Sequence, residues 1–408
     1  MRIIDTLKTL TENRDEEIEA WFTAKRAERP PFFYNSVDLR HSGLRLAPVD
    51  TNLFPAGFNN LSPAARARAS RFINHLLKER HPHAKRVAII PENHTRNLAY
   101  LENLSVLLSL FERAGVEAQL ASLAAAPGAP LVLETPSGDT LTQHPIVQTG
   151  GTLALEGGFT PDLIINNNDM TSGVPPQLAD ITQPILPPTS MGWYRRRKSQ
   201  HFEQYQLLTQ DFCTKFGLDS WLLCAEFEAC EAIDFKERSG LDILAERVER
   251  VLARAREKHA QYGIAEAPYV FIKADSGTYG MGIMNIHSAE ELFEMNKKAR
   301  NKMQVIKEGA QVSEVIVQEG IPTVDQVQGK PAEPMVYMID GIPIGGMYRV
   351  NGQRDTQGNL NAAGMEFTGM CDEAEDECGK WKSVVDCDFR AYGLIAALAA
   401  LAAAREPG

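Results

Sequence analysis

The chain has 408 residues, of which 44% are apolar and 23% are charged, the proportions of a globular protein with two or three domains. The net charge of −11 argues against general binding of nucleic acid, because phosphate backbones attract basic surfaces. The sequence has no run of 18 apolar residues, so no membrane span is expected. The amino-terminal segment lacks the long apolar core of a secretory signal, and we expect a cytoplasmic protein.

The first elements in the chain are predicted by periodicity and turn residues. A Gly-containing turn, His41-Ser42-Gly43, separates two strand-like runs and predicts a β-hairpin. The predicted elements are a helix over residues 15–27, strands over 32–40 and 44–54, and a helix from Pro63 to about Arg80.

The second strand of this hairpin carries a candidate metal site. Residues two apart in a strand point to the same face, so Asp50 and Asn52 present their oxygens side by side. Carboxylate and amide oxygens suit Mg²⁺, and this pair could therefore hold that ion. The alternative is a turn or cap, where Asp and Asn are also common.

Residues 81–190 predict a small parallel α/β unit. Strands are expected at 86–93, 116–121 and 162–169, with a helix that ends near Ala114. Ligands collect at the carboxyl ends of parallel strands, so polar residues there are candidate substrate contacts. We single out Asn93, Arg96 and Asn168. Loop polarity or helix capping is the alternative for each.

The remaining residues, 191–408, predict helices over 199–262 and mainly strands from Tyr269 onward. Asp340-Gly341 lies between two apolar runs and predicts a tight hairpin turn. An alanine-rich helix around residues 389–405 is apolar on most faces, and we expect it to pack into the body of the protein.

A strand that ends in Lys273 is followed by a glycine-rich loop and a second strand. Gly277, Gly280 and Gly282 allow backbone N–H groups to approach a ligand, and Lys273 can meet a phosphate as a point charge. A Walker loop opens directly into a helix, whereas residues 283–286 here predict a strand. The pattern is that of the lysine strand and phosphate lid of ATP-grasp enzymes. A plain hairpin with a flexible turn is the alternative.

Further candidate residues follow the lysine strand. Gln318 and Glu319 end an apolar strand and suit a hinge that reads adenine and ribose. Arg349 lies on an apolar strand and needs a fixed partner, either a transferred phosphate, a substrate carboxylate or a structural carboxylate. The small-residue loop 358–367, with Asn359 and Asn361, could close over a ligand or form a surface turn.

Residues 195–198 are four consecutive cations, Arg-Arg-Arg-Lys. Such a run is typical of a solvated face. The functional alternative is an anion clamp for glutamate carboxylates or phosphates, in which Arg197 would contact substrate.

Six cysteines show no Cys-x-x-Cys spacing, so free thiols are expected rather than disulfides. Cys371, Cys378 and Cys387 flank the acidic residues 372–377. This segment is typical of a solvated loop, with a metal or regulatory site as the alternative.

The order of these features resembles a known family. The hairpin with its acid-x-Asn pair, the lysine strand with its glycine lid, the Arg strand and the Ala/Gly loop are similar to the circularly permuted ATP-grasp layout of eukaryotic-type glutathione synthetases. Over most of its length the chain more closely resembles the small bacterial family of glutamate–cysteine ligases built on this plan. The resemblance rests on NSVDLRHSGLRLAPVDTNLFPAGFNN, IIPENHTRN, GWYRRRKSQHF and IKADSGTYGMG.

The resemblance implies an α/β (α+β) protein with an ATP-grasp-like, circularly permuted fold and an inserted parallel α/β unit. Residues 1–80 would contribute a hairpin and helices to the ATP-grasp core, 81–190 would form the substrate unit, and 191–408 would form the ATP-grasp lobes.

The resemblance also implies roles for individual residues. Lys273 and Arg349 would be catalytic, and Asp50 and Asn52 would bind Mg²⁺. The residues implied in ATP binding are Lys273, Gly277, Tyr279, Gly280, Gly282, Gln318 and Glu319. Those implied in substrate binding are Asp38, Arg40, Asn359, Asn361 and Ala363.

One position departs from the family pattern. The glutathione synthetases have a glutamate at the start of the glycine lid as a third Mg²⁺ ligand, and this place is Gly277 here. Asp275 is the nearby residue that could substitute.

The implied activity is an ATP- and Mg²⁺-dependent ligase that joins the γ-carboxylate of glutamate to the amine of cysteine through an acyl phosphate. Its partners would be these small molecules, with no nucleic acid and no membrane, and a homo-oligomer is left open. Glutathione synthetase or another amino-acid ligase is one alternative. A non-catalytic nucleotide-binding regulatory protein is the alternative from another class.

Overall fold

The computed structural model describes residues 2–277, 282–304, 311–370 and 389–407. The helices of these residues are α1 (Ile3–Asn13), α2 (Asp15–Glu28), α3 (Pro63–Arg80), α4 (Leu98–Arg113), α5 (Lys198–Phe216), α6 (Leu241–Tyr262), α7 (Glu291–Glu294), α8 (Lys297–Gln304) and α9 (Phe389–Ala403). The helix predicted over residues 15–27 is confirmed as α2, and the helix predicted from Pro63 to about Arg80 is confirmed as α3.

The strands of the same residues form three sheets. In chain order they are β1 (Tyr34–His41), β2 (Leu46–Asn52), β3 (Arg86–Pro91), β4 (Glu117–Ser122), β5 (Leu131–Glu134), β6 (Thr140–Thr149), β7 (Thr152–Leu155), β8 (Leu163–Asn167), β9 (Ile185–Leu186), β10 (Phe227–Glu231), β11 (Val270–Ala274), β12 (Ile283–Ile286), β13 (Glu314–Glu319), β14 (Gln326–Val327), β15 (Lys330–Ile339), β16 (Ile342–Val350) and β17 (Glu366–Gly369). The molecule is a mixed α/β protein.

The central sheet combines strands from distant parts of the chain. Its order is β17-β16-β15-β1-β2, with β14 beside β15, and its neighbouring strands are antiparallel. The predicted amino-terminal hairpin is confirmed as β1 and β2. Asp340 and Gly341 both adopt positive φ between β15 and β16, which confirms the predicted hairpin turn.

Helix α9 packs against this central sheet. All of its residues except Arg390 are buried, because the sheet and helices α1 and α5 pack around it. A helix that is apolar all round belongs in a core, so the prediction that it packs into the body is confirmed.

A four-stranded antiparallel sheet has the order β10-β13-β11-β12. Residues 199–262 were expected to be mostly helical, and the expectation is wrong for β10, which pairs with β13. This strand was not predicted because it contains acidic residues, which are uncommon in strands. The carboxylate of Glu228 on β10 is held by Arg247, Arg250 and Arg254 of α6, and its pKa is lowered to about 2 although partial burial opposes this.

The third sheet has the order β5-β6-β4-β3-β8-β9, with β7 beside β6. Strand β3 is parallel to β4 and to β8, so the parallel pairing of these three predicted strands is confirmed. Strands β5, β6, β7 and β9 were not predicted from the sequence, and they bring the sheet to seven strands. Strand β6 is parallel to β4 and antiparallel to β5 and β7.

Three of the cysteines, Cys213, Cys224 and Cys230, are free and buried, as predicted. Cys371, Cys378, Cys387 and the acidic run between them lie outside the described residues. Within the described ranges, no helix combines the length and the apolar character needed to cross a membrane.

Candidate active site

A small cavity of about 60 Å³ lies between the central sheet and the four-stranded sheet. The four-stranded sheet contributes Lys273, and the central sheet contributes Asp50 and Arg349. These three residues are far apart in sequence, and the fold brings them around one cavity. The charged residues of the lining are Asp38, Arg40, Asp50, Lys198, Lys273, Glu333 and Arg349.

Lys273 reaches the cavity from the end of β11. Its ammonium group donates to Gln318 Oε1 at 2.7 Å and to the carbonyl oxygen of Val49 at 3.0 Å. Burial disfavours the charged form and lowers the pKa of Lys273 to about 8, although nearby Asp50 opposes this shift. The lysine is therefore held by neutral oxygens and lacks a direct carboxylate partner among these bonds.

Asp50 faces the cavity from β2. Lys198, at the start of α5, approaches Asp50 Oδ1 to 2.6 Å. Burial alone would raise the pKa of Asp50, but the charges of Lys198 and Lys273 hold that pKa below its ordinary value. Asp50 is thus a carboxylate in an electropositive corner.

Arg349 on β16 bridges two carboxylates. Its Nη1 donates to Asp38 Oδ2 at 2.7 Å and also to Glu333, the residue opposite it on β15. Glu333 in turn accepts from Arg40 Nε at 2.7 Å. Burial raises the pKa of Asp38 despite Arg349, helped by the charges of Glu333 and Asp50. Burial would also raise the pKa of Glu333, but the two arginines hold it below its ordinary value.

The predicted small-residue loop is fixed to the same group of charges. Arg40 donates to the carbonyl oxygens of Thr356 and Gly358 at 3.2 and 2.8 Å. The buried amide of Asn351 donates to the carbonyl oxygen of Leu360 at 3.2 Å. These bonds place Asn359 and Asn361 in the cavity lining.

A larger chamber of about 380 Å³ adjoins this cavity on the side of the parallel unit. The two spaces share Asp38, Asp50, Arg349 and Asn361. Asn52 lines this chamber, but its side-chain oxygen accepts the N–H of Phe54 at 2.9 Å. The acid-x-Asn pair therefore borders the site, with its amide engaged in a local turn.

The structure places two predicted acidic ligands away from the cavity. Both carboxylate oxygens of Asp275 accept from Ser199, at 2.7 Å from the backbone and 2.6 Å from the hydroxyl. Asp275 thereby holds the first turn of α5, and the suggested third Mg²⁺ ligand does not face the cavity. Glu319 accepts two bonds from buried Arg45, at 2.6 and 2.8 Å, so its carboxylate is not free to read ribose.

Several other predicted residues do not line either space. Arg197 pairs with Glu314, and its neighbour Lys198 takes the place in the cavity that was expected for it. Asn168 donates to the carbonyl oxygen of Pro91 at the end of β3 and accepts from the N–H of Met170. The remaining predicted residues outside both linings are Asn93, Arg96, Gly282, Gln318 and Ala363, and Gln318 touches the site only through Lys273.

The glycine lid is described in part. Gly277 lines the cavity with φ of 102°, a value that favours glycine. The expected ligands Tyr279 and Gly280 lie outside the described residues.

Two charged residues of the cavity were not predicted as site residues. Glu333 was not singled out in the sequence, and Lys198 was noted in the basic run without a role in the site. Simple counting back from the Asp340-Gly341 turn would pair Ala332 with Arg349, and a one-residue register shift between Tyr337 and Met338 places Glu333 there instead, so the sequence held no direct signal for Glu333. Lys198 stood in the noted basic run, but nothing local separates it from Arg197.

The chain was compared with known proteins. The family model for glutamate–cysteine ligase matches residues 8–407. The crystal structure of a protein assigned as gamma-glutamylcysteine synthetase from Methylobacillus flagellatus KT is 40% identical, with 98% of this chain and 95% of that chain covered and a TM-score of 0.89. The search among curated proteins found no match.

Two further solved structures are much less similar. D-cycloserine synthetase DcsG is 12% identical, with 78% of this chain and 80% of that chain covered and a TM-score of 0.38. A glutathione synthetase-like effector from Globodera pallida is 8% identical, with 89% and 78% covered and a TM-score of 0.36. Overlaps this low carry no argument, and the ATP-grasp fold stays a prediction.

The family match and the 40% identical structure define the class of protein as a carboxylate–amine ligase. Within that class, the chain belongs to the glutamate–cysteine ligase family. The predicted enzyme class and the predicted function, the joining of glutamate to cysteine, are confirmed at this level.

Proposed function

We propose that the cavity between the two sheets activates the γ-carboxylate of glutamate with ATP as the phosphoryl donor. A carboxylate oxygen attacks the γ-phosphorus, and the bond to ADP breaks. The cysteine amine then attacks the acyl carbon, the bond to phosphate breaks, and the amine proton passes to solvent. The products are γ-glutamylcysteine, ADP and phosphate.

The observation that carries this proposal is the meeting of four cations with three carboxylates in one buried cavity. The cations are Arg40, Lys198, Lys273 and Arg349, and the carboxylates are Asp38, Asp50 and Glu333. Phosphoryl transfer depends mainly on positioning and charge stabilisation, and a preorganised set of cations supplies both. No nucleophilic side chain is required, and no cysteine is given a role.

Lys273 and Arg349 are the proposed catalytic residues. Lys273 would meet the β- and γ-phosphates, because its present partners are neutral oxygens that it can exchange for charged ones. Arg349 would stabilise the transferred phosphoryl group at the boundary between cavity and chamber. The cavity of about 60 Å³ holds only a few water molecules, so nucleotide entry requires the ion pairs to rearrange.

Mg²⁺ is implied by ATP-dependent chemistry, and the residues present fit it in part. Asp50 is an ionised carboxylate at the cavity wall, and Mg²⁺ commonly uses one or two carboxylates together with substrate phosphates. Within the described residues, no group of three His, Cys, Asp or Glu side chains is arranged to hold a metal. Asp50 would therefore be the main protein ligand, with Asn52 nearby. Bound Mg²⁺ would neutralise charge on the phosphates.

We also propose the ATP-grasp layout, in its permuted form, for this chain. The support is that the amino-terminal hairpin β1-β2 pairs with β15 from the last third of the chain. Gly277 after β11 and the Lys273 side chain fit the phosphate-binding lobe of that layout. A homo-oligomer remains a prediction.

The test is an assay of ADP formation by the full chain with Mg²⁺ and ATP. Glutamate plus cysteine should support turnover, and mass spectrometry should detect γ-glutamylcysteine. Turnover with γ-glutamylcysteine plus glycine, and none with glutamate plus cysteine, would instead identify a glutathione synthetase. Nucleotide binding without any turnover would favour a regulatory protein.

A further inference from the structure

The chamber of about 380 Å³ beside the cavity differs from it in charge. Its carboxylates are Asp38, Asp50, Glu92 and Asp169, and among the described residues that line it Arg349 is the single lysine or arginine. Asp38 is paired with Arg349 and Asp50 with Lys198, so the excess of negative charge in the lining comes from Glu92 and Asp169. An excess of negative charge repels phosphate and attracts an ammonium group. Its occupant is therefore chemically unlike the nucleotide.

The chamber also has an apolar wall rich in thioethers. The register of β15 and β16 sets Met335 directly opposite Met347, and both side chains are buried and line the chamber. Met365 and Phe367 extend this wall toward the surface. Methionine is soft and polarizable, so a sulfur-bearing side chain packs well against such a wall.

Two buried polar atoms in the chamber lining lack partners. Asn59 Oδ1 and Trp193 Nε1 make no hydrogen bond to the part of the chain that the structure describes. Both atoms are almost fully shielded from solvent, so a ligand can pair with them only if side chains of the lining move. The volume equals that of about a dozen water molecules, which is ample for a small amino acid.

We infer that this chamber binds the acceptor amino acid, and that Met335 and Met347 select a thiol side chain over a hydroxyl. This inference rests on the proposed function. The amine lies toward the shared residues Asp38 and Asp50, next to the place where the carboxylate is activated. The thiol packs against the two thioethers. A serine hydroxyl in the same position gives up its hydrogen bonds to water and meets only the weakly accepting sulfur atoms of the two methionines.

The selectivity expected from such a wall is moderate. Serine has a hydroxyl in place of the thiol of cysteine, and an apolar pocket discriminates against a hydroxyl-bearing isostere by about 100-fold in kcat/KM. We therefore expect the wild type to prefer cysteine over serine by about that factor, with the ratio determined at Met335 and Met347.

The decisive variant is Met335→Gln, because glutamine has nearly the shape of methionine and offers the hydroxyl a partner. We expect the cysteine-to-serine ratio of kcat/KM to fall at least tenfold, with the KM values for glutamate and ATP unchanged within twofold. Met335→Leu keeps the wall apolar and should leave the ratio within about threefold of the wild type. Met338→Leu, on the same strand but packed in the core with α9, is the matched control and should not change the ratio.

The outcomes separate this inference from the proposed function. If the wild type forms no ADP with glutamate and cysteine, the proposed function fails. If the wild type is active and Met335→Gln folds with an unchanged ratio, the acceptor assignment is overturned. Should Met335→Gln fail to fold, methyl NMR of the wild type with labelled methionine gives the answer. Cysteine should shift the Met335 signal, assigned with Met335→Leu, and the absence of a shift at saturating cysteine overturns the inference.

Discussion

Glu406, two residues before the last residue of the sequence, is expected to hold the strand that carries Asp50. Its carboxylate accepts from Arg196 Nε at 2.7 Å and Nη2 at 2.8 Å, and His201 Nδ1 lies 2.7 Å from Oε1. The remaining terminal nitrogen of Arg196 donates to the carbonyl oxygen of Thr51 at 2.5 Å. This chain of bonds runs from the end of the sequence to β2, beside the proposed metal ligand.

The perturbation is Glu406→Gln, which keeps the shape and removes the charge. The side chains of Arg196 and Glu406 are only 2% and 1% exposed, so the variant leaves a buried guanidinium without its counter-charge. Breaking a buried pair in this way costs about 3–5 kcal/mol in the free energy of unfolding. We expect a loss at the lower end, about 3 kcal/mol, because glutamine still accepts one hydrogen bond. The kcat should fall more than the KM for glutamate changes, since β2 loses its anchor.

The pH dependence gives a second measurement. Burial alone would raise the pKa of Glu406, but Arg196 and His201 lower it to about 2, from an ordinary value of 4.5. The stability from this ionised group is therefore present above about pH 4.5 and is lost as the pH falls toward 2. Between pH 4.5 and pH 3 the change is about 1.5 units, or about 2 kcal/mol at about 1.4 kcal/mol per unit. The difference between the variant and the wild type should shrink by that amount.

The assay is urea unfolding at pH 7 and at pH 3, with Glu28→Gln as the matched control. Glu28 pairs with Arg405 at 3.0 Å near the same end of the chain, but its side chain is 54% exposed. Exposed ion pairs contribute little, so the control should lose a small fraction of what Glu406→Gln loses. Equal losses in the two variants, or a loss that is independent of pH, would refute the reasoning.

Three further predictions concern the cavity. Lys273→Met should lower kcat at least 100-fold while circular dichroism shows a folded protein, and full activity in this variant would contradict the catalytic role of Lys273. The pKa of Lys273 is lowered to about 8, so nucleotide affinity measured by titration calorimetry should weaken as the pH rises through 8. Lys273→Arg should not show this pH dependence, because arginine stays charged. Asp50→Asn should raise the Mg²⁺ concentration needed for half-maximal turnover about tenfold or more, and an unchanged requirement would remove Asp50 from the metal site. Arg349→Lys should lower kcat at least tenfold with a folded protein, because a point charge cannot hold Asp38 and Glu333 as the guanidinium does, and wild-type turnover would argue against the role of Arg349.

The sequence predicted those parts of the fold that local patterns determine. Hairpin turns, apolar periodicity and helix caps predicted β1-β2, α3, the parallel strands of the third sheet and the buried α9. Strand β10 was not predicted, because Glu228 on this strand is neutralised by arginines of α6 and a pattern of neighbouring residues does not reveal that contact. The candidate site shows the same difference between residues that a local pattern reveals and residues that depend on distant contacts. Lys273, Asp50 and Arg349 were found because each stands out in its own strand.

The acidic residues that were misjudged owe their roles to partners far away in sequence. Arg45, which holds Glu319, is 274 residues away, and Ser199, which holds Asp275, is 76 residues away. An acidic residue at a strand end has the same local sequence pattern whether its carboxylate faces a ligand or a buried guanidinium. Only the packing of the sheets decides between these outcomes, so the sequence could nominate acids near the site but could not assign them.

The ion pairs of the cavity suggest how a polyanion can bind at this buried site without a large unfavourable free energy of desolvation. Asp50 is paired with Lys198, and Arg349 with Asp38 and Glu333, so most charges are already neutralised by neighbours. Lys273 is the exception, since its bonds go to neutral oxygens and its pKa is lowered. A triphosphate with its metal ion brings both signs of charge, and each can replace an existing partner: phosphate at the cations, the metal at Asp50. If ATP binds here as proposed, binding would exchange ion pairs within the cavity, and the electrostatic environment of Lys273 would improve most. We therefore expect the removal of Lys273 to be the most damaging of these changes.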